Sequence, residues 1–288
     1  MAAGSATPHV QPDYTADVPL RASLATAALC LLTVAGGTQA PDVPGATGRH
    51  GGFGLPDPRG ARLLVIPNLS RPELLKVALC SRGRRLSIEF DRRQAARGNG
   101  DGRQTPSRFD ELSGNVFTVL MGRIEADATC FLASETLLAG STLLSFAAPA
   151  GSGACAQPGR FAALRGRPVI RCWPVARLSA DGQIVLLEFE RRGRDALASL
   201  VLVDGTRTIF ADYPAEFRGT GQDLWRVDDA GVLFPEAIDI VCALQGRESY
   251  VLGVAWNGAE GKLLQLWTAD GTDQFTKVIN DYWYQAPR

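Results

Sequence analysis

Beyond residue 167 the apolar positions fall in runs of eight to ten residues separated by turn signals. RPVIRCWPVARLS leads to Asp181-Gly182, QIVLLEFER leads to a turn near 193, and ALASLVLV leads to Asp204-Gly205 before TRTIFADY. Asp-Gly between β-rich runs is a strong short-range hairpin signal, so these runs predict strands joined in order, an antiparallel meander. After the loop PAEFRGTGQD come LWRVDD, EAIDIVCAL, SYVLGVAW, KLLQLWT and FTKVINDYWY, which predicts eight to ten strands after residue 160. The run Leu200-Val201-Leu202-Val203 is apolar on both faces and calls for cover on both sides. A propeller needs a recurring signature roughly every 40 residues, and none is present. The fold class expected is mainly β: an antiparallel β-meander, sandwich or barrel, over 160–288.

The first half is less regular. RLLVIPNLS predicts a short strand and turn. Ser70-Arg71-Pro72-Glu73 reads as a capping box with proline just inside a helix over 71–80. RRLSIEFDRR alternates at Leu86, Ile88 and Phe90, a half-buried strand, and VFTVLMGRI is another. Residues 130–146 are ambiguous between strand and helix. AAPAGSGACAQPG (147–159) is a small-residue linker and the candidate domain boundary. These signals predict a smaller α+β region over 61–150. Before it, residues 41–60 hold six glycines and four prolines and read as a flexible tether.

At the start of the chain, ASLATAALCLLTVAG (22–36) is an uncharged apolar run behind Arg21. A membrane span needs about 20 residues, so the run fits the core of a signal peptide over 1–40, cut between 35 and 40. Leu29 argues against lipid attachment at Cys30. Asp13 and Asp17, with no basic residue before Arg21, depart from a signal's positive start and suggest a true start near Val18 or Leu20. The sequence thus predicts export to the periplasm or beyond, with no transmembrane span left after cleavage.

Composition sharpens this. The 30 basic and 30 acidic residues cancel, which offers no global footprint for nucleic acid. Only Lys76, Lys262 and Lys277 are lysines, an arginine bias that suggests a GC-rich bacterial genome. The charge is uneven: 71–108 carries ten basic and four acidic residues, and 211–288 carries six and twelve. Docking of the two regions, contact of the arginine-rich stretch with a polyanion such as lipid head groups, and plain solvated surface all remain open. Five cysteines follow Cys30, without CxxC spacing. In an oxidising compartment they predict disulfides, with Cys155 and Cys172 the first pair to test and one thiol left over.

The candidate chemistry is narrow. Both histidines, His9 and His50, precede the first folded segment. That disfavours Ser-His-Asp and Cys-His sites, and no nucleotide or zinc motif appears. Trp225, Arg226, Asp228 and Asp229 form a distinctive cluster. It can be read as a binding patch for sugar or calcium, as half of an acid/base pair completed by Glu260 or Asp281, or as a simple turn. Tyr282, Trp283 and Tyr284 are an aromatic patch: a stacking platform, or an alternation that buries Trp283 and exposes the tyrosines. The function expected is a non-enzymatic binding or envelope-associated protein with a glycan or envelope component as partner, needing no cofactor beyond the possibility of calcium. The alternatives are a carboxylate-dependent glycan hydrolase and a structural domain of a larger assembly.

Overall fold

The computed structural model describes residues 51–285 apart from 67, 99–100, 150–154, 156, 179–181, 220–223, 226 and 229–232. The segment read as a signal peptide (1–40), and Arg226 and Asp229 of the acidic cluster, lie outside the described residues. The protein is mainly β, with antiparallel sheets throughout.

Six strands close a barrel in the order β1-β2-β5-β4-β3-β6. They are β1 (Gly51–Pro56), β2 (Arg62–Val65), β3 (Leu75–Cys80), β4 (Arg84–Gln94), β5 (Gly114–Val119) and β6 (Cys130–Ser134). Leu63, Val65, Ala78, Ile88, Phe117 and Leu132 fill its interior.

Two sequence expectations change here. Within the tether expected over 41–60, residues Gly51–Pro56 form β1 instead, every one of them buried, and 41–50 lie outside the described residues. Its glycines serve close packing: a Cβ on Gly51 would lie 2.4 Å from the Phe131 ring and 2.5 Å from the Leu132 carbonyl oxygen. The helix expected over 71–80 is a single 3-10 turn at Pro72–Leu74 followed by β3. Leu75, Ala78 and Cys80 pack inside the barrel, while Val77 and Leu79 pack outside it. Burial on both faces produces a continuous apolar run that periodicity cannot distinguish from a helix.

After β6 a single helical turn, α1 (Glu135–Leu138), is capped by the Ser134 hydroxyl, which accepts the Leu137 amide. Then β7 (Thr142–Leu143) and β8 (Phe146–Ala147) join two different sheets. The helix α2 (Pro158–Arg165) follows.

The predicted meander is present as eight long strands. β9 (Val169–Leu178), β10 (Gln183–Phe189), β11 (Asp195–Asp204) and β12 (Arg207–Glu216) form the first sheet, ordered β12-β11-β10-β9-β8. β13 (Ile238–Gln245), β14 (Ser249–Asn257), β15 (Gly261–Asp270) and β16 (Thr276–Tyr284) form the second, ordered β16-β15-β14-β13-β7. The Asp204-Gly205 turn pairs Asp204 with Arg207, as its sequence requires. Near 193, Arg192 bridges Asp195 around Gly193.

The layers follow from which faces are apolar. Leu200 and Leu202 of the first sheet meet Ile240, Leu252, Val254 and Trp267 of the second in the sandwich core. Val201 and Val203 face outward, where Phe161 of α2 covers them, so both sides of the LVLV run are buried. Arg165 pins α2 to the sheet: Nη2 donates to both Asp212 carboxylate oxygens at 2.8 and 2.7 Å, and its guanidinium lies over the Phe210 ring. The second sheet's outer face carries Val241, Leu264, Leu266 and Trp283, which pack on Phe53, Leu79 and Phe131 of the barrel. That sheet is therefore the middle layer.

Two disulfides brace the layers. Cys155–Cys172 ties the segment before α2 to β9, as the short intervening loop suggests. Cys80–Cys130 joins β3 to β6 at directly paired positions, with Cα atoms 4.1 Å apart. Cys242 is the leftover thiol, buried under the barrel–sheet contact.

Candidate functional site

The most varied set of polar groups gathers at the seam between barrel and sandwich. The connection from β5 to β6 contributes Asp127, the start of β13 contributes Asp239, and the end of β14 contributes Asn257. Lys262 of β15 and Gln285, just past β16, complete a cleft of about 380 Å³. A second, more apolar lobe of about 280 Å³ shares Asp127, Lys262 and Gln285 and runs over Leu55, Pro106 and the edge of Trp283.

Each polar group has a local reason for its position. Lys262 is 8 % exposed and spans the seam, its Nζ donating to the Asp127 carbonyl oxygen at 3.2 Å. Asn257 donates through Nδ2 to Asp239 Oδ2 at 2.9 Å and to the Ala237 carbonyl at 3.3 Å, which orients the amide. The tight turn between β14 and β15 forms the floor, and it is held from two sides. The Glu260 amide donates to Asp228 Oδ2 at 2.6 Å, and the Gln285 amide donates to the Glu260 carbonyl at 2.6 Å. Gly258 is needed there, because a Cβ would fall on the Asp228 carboxylate.

The sequence-predicted residues distribute unevenly around this cleft. Asp228 and Glu260 are brought together, but through the backbone of Glu260, so Asp228 works as a turn cap. Asp281 shares a face of β16 with Ile279 and Trp283, and is paired in register with Leu264. Trp225 is buried in the sandwich core, its indole donating to the Tyr213 carbonyl at 2.7 Å, so its ring offers no open platform. Trp283 is likewise buried under the barrel, whereas Tyr282 and Tyr284 are each 38 % exposed on the sheet's edge strand. Alternation along β16 explains that split.

Sequence reasoning missed Asp127, Asp239, Asn257, Lys262 and Gln285, which come from five separate segments. One signal was available: Lys262 is among three lysines in a chain that otherwise uses arginine. A cleft of about 320 Å³ between α2 and the hairpin ends is lined by Arg160 and Arg207. Both guanidiniums donate to the protein itself, Arg160 to Thr206 and Thr208 and Arg207 to the Glu248 carbonyl, which makes them clamps.

With carboxylates accepting, and amide and ammonium donating, the seam can satisfy groups that do both, such as neighbouring hydroxyls. No protein-family model matches the chain, and neither a curated protein nor a solved structure matches it.

Proposed function

We propose that the protein is an exported bacterial binding protein, non-enzymatic, that holds a neutral carbohydrate in the seam cleft. The observation that carries this reading is the convergence of Asp127, Asp239, Asn257, Lys262 and Gln285 on one concave site beside an apolar lobe. A small number of placed polar groups beside apolar surface is the usual make-up of a small-ligand site. Export is supported by the apolar run at 22–36 and by two disulfides, which persist in oxidising compartments. Among the described residues no helix is long and apolar enough to cross a membrane.

Calorimetry of the full chain against a panel of neutral oligosaccharides tests the reading. At least one should bind, and Asp239→Ala and Gln285→Ala should each weaken it about tenfold, the loss of one or two ligand hydrogen bonds. Failure of every oligosaccharide to bind overturns it. Hydrolysis of one that stops in Asp228→Asn would move the protein to the carboxylate-dependent hydrolase reading. Loss of binding on chelation would bring in calcium. Expression in a Gram-negative host should give periplasmic protein whose new N-terminus lies between residues 36 and 41.

A further inference from the structure

A second surface, on the barrel, has a different character. Between β5 and the buried Ile124 the chain makes a four-residue excursion, Leu120-Met121-Gly122-Arg123. Its two ends are pinned to adjacent residues: the Val119 amide donates to the Ala61 carbonyl and the Ile124 amide to the Gly60 carbonyl, both at 2.9 Å. The Leu120 amide also donates to the Ser87 carbonyl at 3.0 Å. Ends held so close force the residues between them outward, and Gly122 turns the tip with φ +85°. The outcome is two neighbouring apolar side chains in solvent, Leu120 at 54 % and Met121 at 79 % exposure. Met121 is the most exposed large apolar side chain among the described residues.

Arginines flank this tip in the chain and on the adjoining strand. Arg123 follows it, and Arg84 donates through Nη2 to the Arg123 carbonyl at 2.8 Å. Arg85 lies on β4 two residues before Ser87, Arg82 in the preceding turn, and Arg59 beside Gly60. All five are exposed. The carboxylates close by in the chain are Glu125, just past Ile124, Glu89, one pleat beyond Ser87 on β4, and Asp57, which is buried and accepts the Ala61 amide.

We propose that this tip docks the protein on an anionic lipid surface. A protruding apolar tip needs no complementary pocket when its partner is a fluid interface. Leucine and methionine enter the boundary of the acyl chains, and the surrounding guanidiniums remain at the level of the phosphates. A protein partner would have to supply a matching concavity, whereas the charge and convexity here already match a bilayer. The tip is separate from the cleft's polar groups, although the same β5–β6 connection supplies Asp127 to it.

Sedimentation of the full chain with vesicles of phosphatidylglycerol and phosphatidylcholine tests this. Phosphatidylglycerol vesicles should carry the protein down, pure phosphatidylcholine vesicles should not, and added salt should release it. Leu120→Ser with Met121→Ser should weaken binding at least tenfold while leaving melting temperature and oligosaccharide affinity unchanged. Arg84→Ala with Arg85→Ala should weaken it as well. Failure of the unaltered protein to sediment overturns the proposal. So does a serine variant that binds like the parent, which would reduce the effect to adsorption of a basic patch. The two proposals fail separately, because the oligosaccharide titration reads only the cleft.

Discussion

Cys242 shows how much a single buried group can report. Burial penalises its thiolate and pushes the thiol up to about 12, against an ordinary value of 9.0. The unfolded chain therefore releases this proton first as pH rises, and the fold weakens progressively above about 9. Below about 9 the thiol is neutral in both states and the contribution is fully present. Tyr213, buried between Trp256 and Trp267 and donating to Gln265 Oε1 at 2.9 Å, is pushed up by burial too and adds the same sign above its ordinary value of 10.0. Thermal melting followed from pH 7 to 11 should show stability falling from near pH 9 in the parent and from near pH 10 in Cys242→Ala. A parent curve flat to pH 10 would refute this. At the residue scale the sequence was a poor guide to the site. It marked Trp225 for its charged neighbours, yet a tryptophan is also what a core needs, and the alternation that would bury Trp283 was one of two readings of the aromatic patch. Asn257 and Gln285 look ordinary until the sheet register brings them beside Lys262, whose rarity was the one signal.

Strands and turns were more legible, for a reason that also marks where legibility ends. Hairpins announce themselves locally, and the Asp204-Gly205 turn fixes register without help from distant residues. β3 and β1 are defined by what packs on them. β3 is buried on two sides, and β1 is glycine-rich because Phe131 and Leu132 press against its backbone. That packing makes a graded prediction. Gly51→Ala sets a Cβ against a backbone carbonyl that has no room to yield, whereas the Cβ of Gly52→Ala meets Val65 Cγ1, the tip of a side chain. The Gly51 variant should lose about 1–3 kcal/mol in urea unfolding, and the Gly52 variant less. Equal losses would mean that β1 packs more loosely than its glycines imply.

For the whole molecule, the uneven charge did not disclose that one sheet would serve as the middle of three layers. The sandwich core lies on one side of it and the barrel contact on the other. Stability should depend on the two disulfides in the order of the chain lengths they enclose, rising with the logarithm of that length. Cys80–Cys130 spans 50 residues and Cys155–Cys172 spans 17. Loop-closure entropy makes these worth about 4 and about 3 kcal/mol. Denaturant unfolding of Cys80→Ala with Cys130→Ala should therefore reveal the larger loss, and the reverse order would indicate that α2 docking dominates. The placing of β7 has a further consequence, for the order in which the protein assembles. Leu143 pairs with Leu244 about a hundred positions later, and Gly51 pairs with Ala133. Partners so remote must wait for each other, so a nascent chain cannot complete its middle layer until β13 has emerged from the ribosome. Such delayed closure makes for slow folding. It also leaves an interval in which the polypeptide is still a thread, the form that the export proposed above would require.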